Sequence, residues 1–88
     1  MKITVTFRNC KTGRDYDIQI DNRQKINTTL RVLKENLPEV LEGMEDNLVL
    51  QSERNKRRLD VEQSYSNSKV YNCDILLISQ AEAKEGTE

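Results

Sequence analysis

The sequence predicts an α+β domain in which one helix packs on a mixed sheet of four to five strands. Three observations carry this: strict two-residue alternation at the start, a single stretch of helical period in the middle, and a continuous apolar run near the end. With 88 residues, the chain has room for one such domain and no second. From Lys2 to Arg8, Ile3, Val5 and Phe7 alternate with Lys2, Thr4, Thr6 and Arg8, the pattern of a half-buried strand. The polar stretch Asn9-Cys10-Lys11-Thr12-Gly13-Arg14 then turns the chain into a second alternation of Tyr16, Ile18 and Ile20 against Asp15, Asp17 and Gln19, so the two segments read as a hairpin.

After the polar stretch Asp21 to Lys25 the period changes. Ile26, Leu30, Leu33 and Leu37 are spaced four, three and four apart, which puts all four on one face of an amphipathic helix. Asn27 or Thr28 is the expected cap, because a short side-chain oxygen there can accept an orphan backbone N–H. Pro38 disfavours helical geometry at Leu37, so the helix should end by about that residue. Glu39 to Asn47 reads as an acidic loop with one helical turn, packed by Val40, Leu41 and Met44. Leu48-Val49-Leu50 suits a third strand. Ser52 to Arg58 reads as a charged turn leading to a short fourth strand around Leu59 and Val61.

Val61 to Tyr71 is polar with isolated apolar residues, and Asn72-Cys73-Asp74 is turn-like. Ile75-Leu76-Leu77-Ile78 follows as a strand covered on both faces. Such an order is that of a β-grasp, whose last and most apolar strand inserts between the first and third and runs parallel to the first. The expected sheet face under the helix is Ile3, Val5, Ile18, Ile20, Leu48, Leu50, Ile75 and Leu77. Residues 1–79 are thus the domain. Residues 80–88, with two Ala as their only apolar side chains, are expected to be a disordered acidic tail.

Composition narrows the function classes. Hydrophobic residues make up 35% of the chain, which implies a thin core. Lys and Arg number 14 against 15 Asp and Glu, a net charge of −1, so overall charge favours neither nucleic acid nor a membrane surface as partner. There is no His, the commonest acid–base group and metal ligand at physiological pH, and no Trp. No catalytic residue, cofactor or metal is expected. No apolar run approaches the roughly 18 residues that cross a bilayer, and the alternating start is unlike a signal peptide, so a cytoplasmic protein without membrane insertion is expected.

The strand order, the opening Ile3-Thr4-Val5-Thr6-Phe7, the segment Asp15-Tyr16-Asp17-Ile18, the helix face and Val70-Tyr71-Asn72-Cys73-Asp74-Ile75-Leu76 together resemble ubiquitin. They are more closely similar to the YukD/EsaB family of small bacterial ubiquitin-like proteins associated with type VII secretion. The resemblance runs from about Met1 to Ser79. It implies an accessory cytosolic component that binds a protein of the membrane-embedded machinery, its ATPase or another core subunit, and catalyses nothing. Its oligomeric state is left open. Cys73 stands where the family usually has Gly, and a left-handed backbone there would cost Cys roughly 1–2 kcal/mol.

Three features then compete for function. Ubiquitin-like modifiers and sulfur carriers end in Gly-Gly, whereas Gly86 is followed by Thr87 and Glu88, so a conjugated or sulfur-carrying role would need processing. Cys10 and Cys73 fall at opposite ends of two parallel strands, too far apart for a disulfide, and are expected as free thiols. Four cations among Arg54, Asn55, Lys56, Arg57 and Arg58 could neutralise phosphates, but no aromatic residue interleaves for stacking. A solvated turn is the first reading of that run, a protein contact through Arg57 and Arg58 the second and a small nucleic-acid-binding domain the last.

The candidate docking site is the outer sheet face. If Ile75 and Leu77 point at the helix, then Leu76, Ile78 and Val49 point away and form an apolar patch, on the face that ubiquitin uses for its partners. Ordinary outward aliphatics on central strands, or cover by the tail, are the competing explanations.

Overall fold

A computed structural model describes residues 1–44 and 47–80. The expected tail lies outside these from residue 81 onward, and Gln80 closes the last strand. The elements are β1 (Lys2–Asn9), β2 (Asp15–Asp21), α1 (Ile26–Asn36), a 3-10 helix (Pro38–Leu41), β3 (Leu48–Ser52), β4 (Arg57–Arg58) and β5 (Ile75–Gln80). One five-stranded sheet has the order β2-β1-β5-β3-β4, with β5 parallel to β1 and antiparallel to β3. The late apolar run therefore occupies the centre, as the β-grasp order requires.

The core lies between α1 and one sheet face. Ile3, Val5 and Phe7 of β1, Ile20 of β2, Leu50 of β3 and Ile26, Leu30 and Leu33 of α1 are buried there, with Ile18 and Leu48 packed partly against them. Val40, Leu41 and Met44 are buried and close one end, as expected of the residues that pack the acidic loop. Leu37 departs from the expected helix stripe. It is the C-cap, with φ −136°, and is 40% exposed, because the following proline pulls its backbone out of the helix before its side chain can reach the core.

The helix start is also built differently. Lys25 is the N-cap and no side chain caps the helix, so neither Asn27 nor Thr28 serves as expected. Instead the first N–H groups, of Ile26 and Asn27, donate to the carbonyls of Gln63 at 3.0 Å and Val61 at 2.8 Å. The segment after β4 thus caps the helix from outside. It also adds Leu59, Tyr65 and Val70 to the core, which a polar segment with isolated apolar residues did not announce. The fourth strand is Arg57–Arg58, the end of the expected charged turn, and not the Leu59 to Val61 segment.

Candidate functional site

The parity of β5 is opposite to the one expected. Leu76 and Ile78 are fully buried, and Ile75 and Leu77 are half-buried on the outer face. Leu76 and Ile78 are therefore core residues and leave the proposed docking set. The cause is Asp74. It is 2% exposed, pointing inward, where Oδ2 accepts from the Ser52 hydroxyl at 2.7 Å and Oδ1 from the Ile75 N–H at 2.8 Å and the Arg54 N–H at 3.3 Å. Once Asp74 is inside, strand alternation places Ile75 outside, Leu76 inside and Leu77 outside. The register agrees, setting Leu76 between inward Phe7 and inward Ser52.

Val49 keeps its outward position, half-buried and paired with outward Ser79. The outer face can then be followed across the sheet. One row runs Asp17, Thr6, Ile75; the next runs Asp15, Arg8, Leu77, Gln51, Arg58; Ser79 and Val49 follow. On the two middle strands Ile75, Leu77 and Val49 are interleaved with polar Gln51 and Ser79, and both flanks are polar. On the β1–β2 side, Arg8 Nε and Nη2 hold the two oxygens of Asp15 at 2.8 and 3.0 Å, and the Thr6 hydroxyl donates to Asp17 at 2.7 Å. The hydrogen bonds and charge of Arg8 hold the Asp15 carboxyl below the usual carboxylate range, and Asp15 in turn raises the Arg8 guanidinium. Both groups are exposed, so the pair orders the flank and adds little stability.

The two arginines of β4 separate. Arg58 sits opposite outward Gln51 and shares the outer face, whereas Arg57 sits opposite inward Ser52 and points to the other side. Both are exposed and neither pairs with a carboxylate among the described residues. Only Arg58 thus joins Val49, with Ile75 and Leu77, in one surface. The four-residue apolar run could not have revealed this phase, because both of its faces are aliphatic. The one available signal was Asp74, which reads as a turn residue until Ser52 is seen as its buried partner.

The cysteines are free and exposed at opposite ends of the sheet. The Cys10 N–H donates to the Ile78 carbonyl and the Cys73 N–H to the Thr4 carbonyl. Cys73 has φ +72°, so the turn does require the left-handed backbone that favours glycine. Among the described residues no group of three or more His, Cys, Asp or Glu could hold a metal ion, and no helix is long and apolar enough to cross a membrane.

No family model and no curated protein matches the sequence. Among solved structures, a protein described as designed de novo on the basis of ubiquitin matches with a TM-score of 0.70 at 16% identity, over 98% of this chain and 96% of that one. Likeness at that identity speaks for architecture alone. Together with the strand order and the single helix, it shows that the chain adopts a ubiquitin-like β-grasp fold.

Proposed function

We propose that this domain acts by non-covalent binding of another protein through the outer sheet face around Val49, Ile75 and Leu77, and catalyses no reaction. The observation that carries this is the placement of outward aliphatic side chains on two adjacent central strands, with polar residues on either flank. An apolar centre with a polar rim is the usual anatomy of a protein interface, and Arg58 and the Arg8–Asp15 pair supply the rim. The partner follows from the resemblance to the YukD/EsaB family: a core subunit or the ATPase of a type VII secretion system, with this chain as its accessory cytosolic component.

The test is capture from the cytosol and membrane fractions of the native cell by the tagged protein and by the double variant Ile75→Thr, Leu77→Thr. Threonine keeps strand propensity while removing the aliphatic surface. Secretion-machinery subunits should be enriched by the parent and lost by the variant, with both proteins melting alike. Equal capture by a folded variant would remove this face from the proposal, and capture free of secretion subunits would remove the secretion assignment.

A further inference from the structure

The sheet has two edges, and they are finished differently. The β4 edge is two residues long and both are arginines, which blunts strand addition. The β2 edge is seven residues long, Asp15–Asp21, and contains no Lys, Arg, Pro or Gly. In the β1–β2 ladder the N–H of Asn22 donates to the Met1 carbonyl and the N–H of Asn9 to the Arg14 carbonyl. Those two bonds fix the alternation: even-numbered residues of this strand bond to β1, and Asp15, Asp17 and Gln19 direct N–H and C=O outward. Among the described residues none of these six groups has a partner.

Beside this edge, on the helix side, lies a groove of about 290 Å³ whose lining includes Ile18, Ile20, Leu33, Val32 and Leu37. Only four large hydrophobic side chains are exposed among the described residues, and two of them, Val32 at 46% and Leu37 at 40%, are in this groove. An unpaired backbone row and a groove walled by these aliphatics, with polar residues such as Lys2 and Thr29 also lining it, thus run side by side, the two parts of a strand-addition site.

Charge selects the occupant. The side chains beside the open backbone groups are Asp15, Asp17 and Gln19, followed by Asp21. A second copy paired antiparallel through β2 and centred on Asp17 or Gln19 would set Asp17 against Asp17 or Asp21, which is unfavourable, and one centred on Ile18 would set Asp15 against Asp21. Asp15 is already held by Arg8 and Asp21 lies 3.6 Å from the Met1 ammonium, which leaves Asp17 as the edge acid without a cation among the described residues. We propose that β2 accepts an extended segment of another protein as a sixth strand, with aliphatic side chains entering the α1–β2 groove and Lys or Arg on the alternate positions facing Asp17. This surface is separate from the outer face around Leu77.

The probe is a capped hexapeptide of alternating Lys and Val, with the alternating Glu and Val peptide as control, titrated into the full chain and followed by amide NMR and hydrogen exchange. Saturable shifts and slowed exchange at the Asp15, Asp17 and Gln19 N–H groups are expected with the Lys peptide and not with the Glu peptide. Gln19→Pro removes an outward N–H without touching the β1 ladder and should weaken binding at least tenfold, as should Val32→Glu in the groove. Leu77→Thr should bind as the parent does, which separates this site from the outer face. Shifts confined to Val49, Ile75 and Leu77, equal binding of both peptides, or full binding by a folded Gln19→Pro protein would overturn the proposal. So would slow exchange at Asp17 and Gln19 without peptide: if it grows with protein concentration a second copy covers the edge, and if not the chain covers it itself.

Discussion

The Ser52 hydroxyl donates to Asp74 Oδ2 at 2.7 Å in the interior of the domain, joining the end of β3 to the start of β5. Ser52 Oγ also accepts from the Asn55 N–H at 3.1 Å, so one hydroxyl anchors both the buried carboxylate and the turn into β4. Ser52→Ala leaves Asp74 Oδ2 buried without its partner. A loss of about 1–3 kcal/mol is expected in denaturant unfolding, with the β3–β4 turn exchanging faster by NMR. No change in stability would show that water replaces the hydroxyl.

Asn9 has the same character at the opposite end of the sheet. It is fully buried; its Nδ2 donates to the carbonyls of Val40 at 3.1 Å and Glu42 at 3.0 Å, and its Oδ1 accepts from the N–H groups of Lys11 and Thr12. Asn9→Ala should cost about 2 kcal/mol or more and loosen the 3-10 helix, measured by chemical unfolding and exchange. Asn9→Asp keeps the acceptors but turns a carboxylate toward two carbonyls, so it should also destabilise at pH 7. Part of that loss should return in acid, where the protonated group can donate again. A pH-independent Asn9→Asp defect would contradict this.

At Cys73 the left-handed backbone predicts that Cys73→Gly stabilises. Relief of roughly 1–2 kcal/mol of strain is offset in part by the greater freedom glycine gives the unfolded chain, so a net gain of about 0.5–1 kcal/mol and a Tm higher by a few degrees are expected. A lower Tm would show that the Asn72 Nδ2 contact with Cys73 Sγ at 3.5 Å outweighs the strain.

Tyr65 is fully buried and its hydroxyl has no hydrogen-bond partner among the described residues. Burial pushes the phenol up to about 12; the Thr29 side chain, near the hydroxyl but not in hydrogen-bond geometry with it, acts the other way. Since the folded state holds this proton more tightly than the unfolded chain, its contribution to stability is complete below about pH 10 and disappears as pH rises through about 12. Tyr65→Phe keeps the packing and removes the unsatisfied oxygen. It should be neutral or stabilising by about 1 kcal/mol at pH 7, and its stability should fall less than the parent's between pH 10 and 12. Parallel curves for the two proteins would rule the phenol out as the cause.

The sequence spelled out the parts of the fold that repeat a local period. Ile3, Val5 and Phe7 announced β1, and Ile26, Leu30 and Leu33 announced the buried stripe of α1, because each pattern depends only on near neighbours. What stayed hidden depends on partners far along the chain. Asp74 and Ser52 are 22 residues apart and Asn9 and Val40 are 31 apart, and each polar residue looked like ordinary turn material without the other. The sequence predicts an apolar patch on the outer face of the third and last strands, where the structure has Val49, Ile75 and Leu77. Its β5 members were exchanged, Leu76 and Ile78 for Ile75 and Leu77, since a run apolar on both sides has no phase of its own. The predicted β-grasp order already leaves the second strand at an edge of the sheet; which of its backbone groups are open follows only from the β1–β2 register.

The position of β5 also bears on how the domain is made. The β1–β2 and β3–β4 hairpins share no ladder; β5 alone joins them, and its pairing of Ile75 with Thr6 closes a loop across most of the chain. In chain order both hairpins therefore precede the strand that joins them. Without that segment the two hairpins have no shared ladder, so closure of the sheet waits on the last strand.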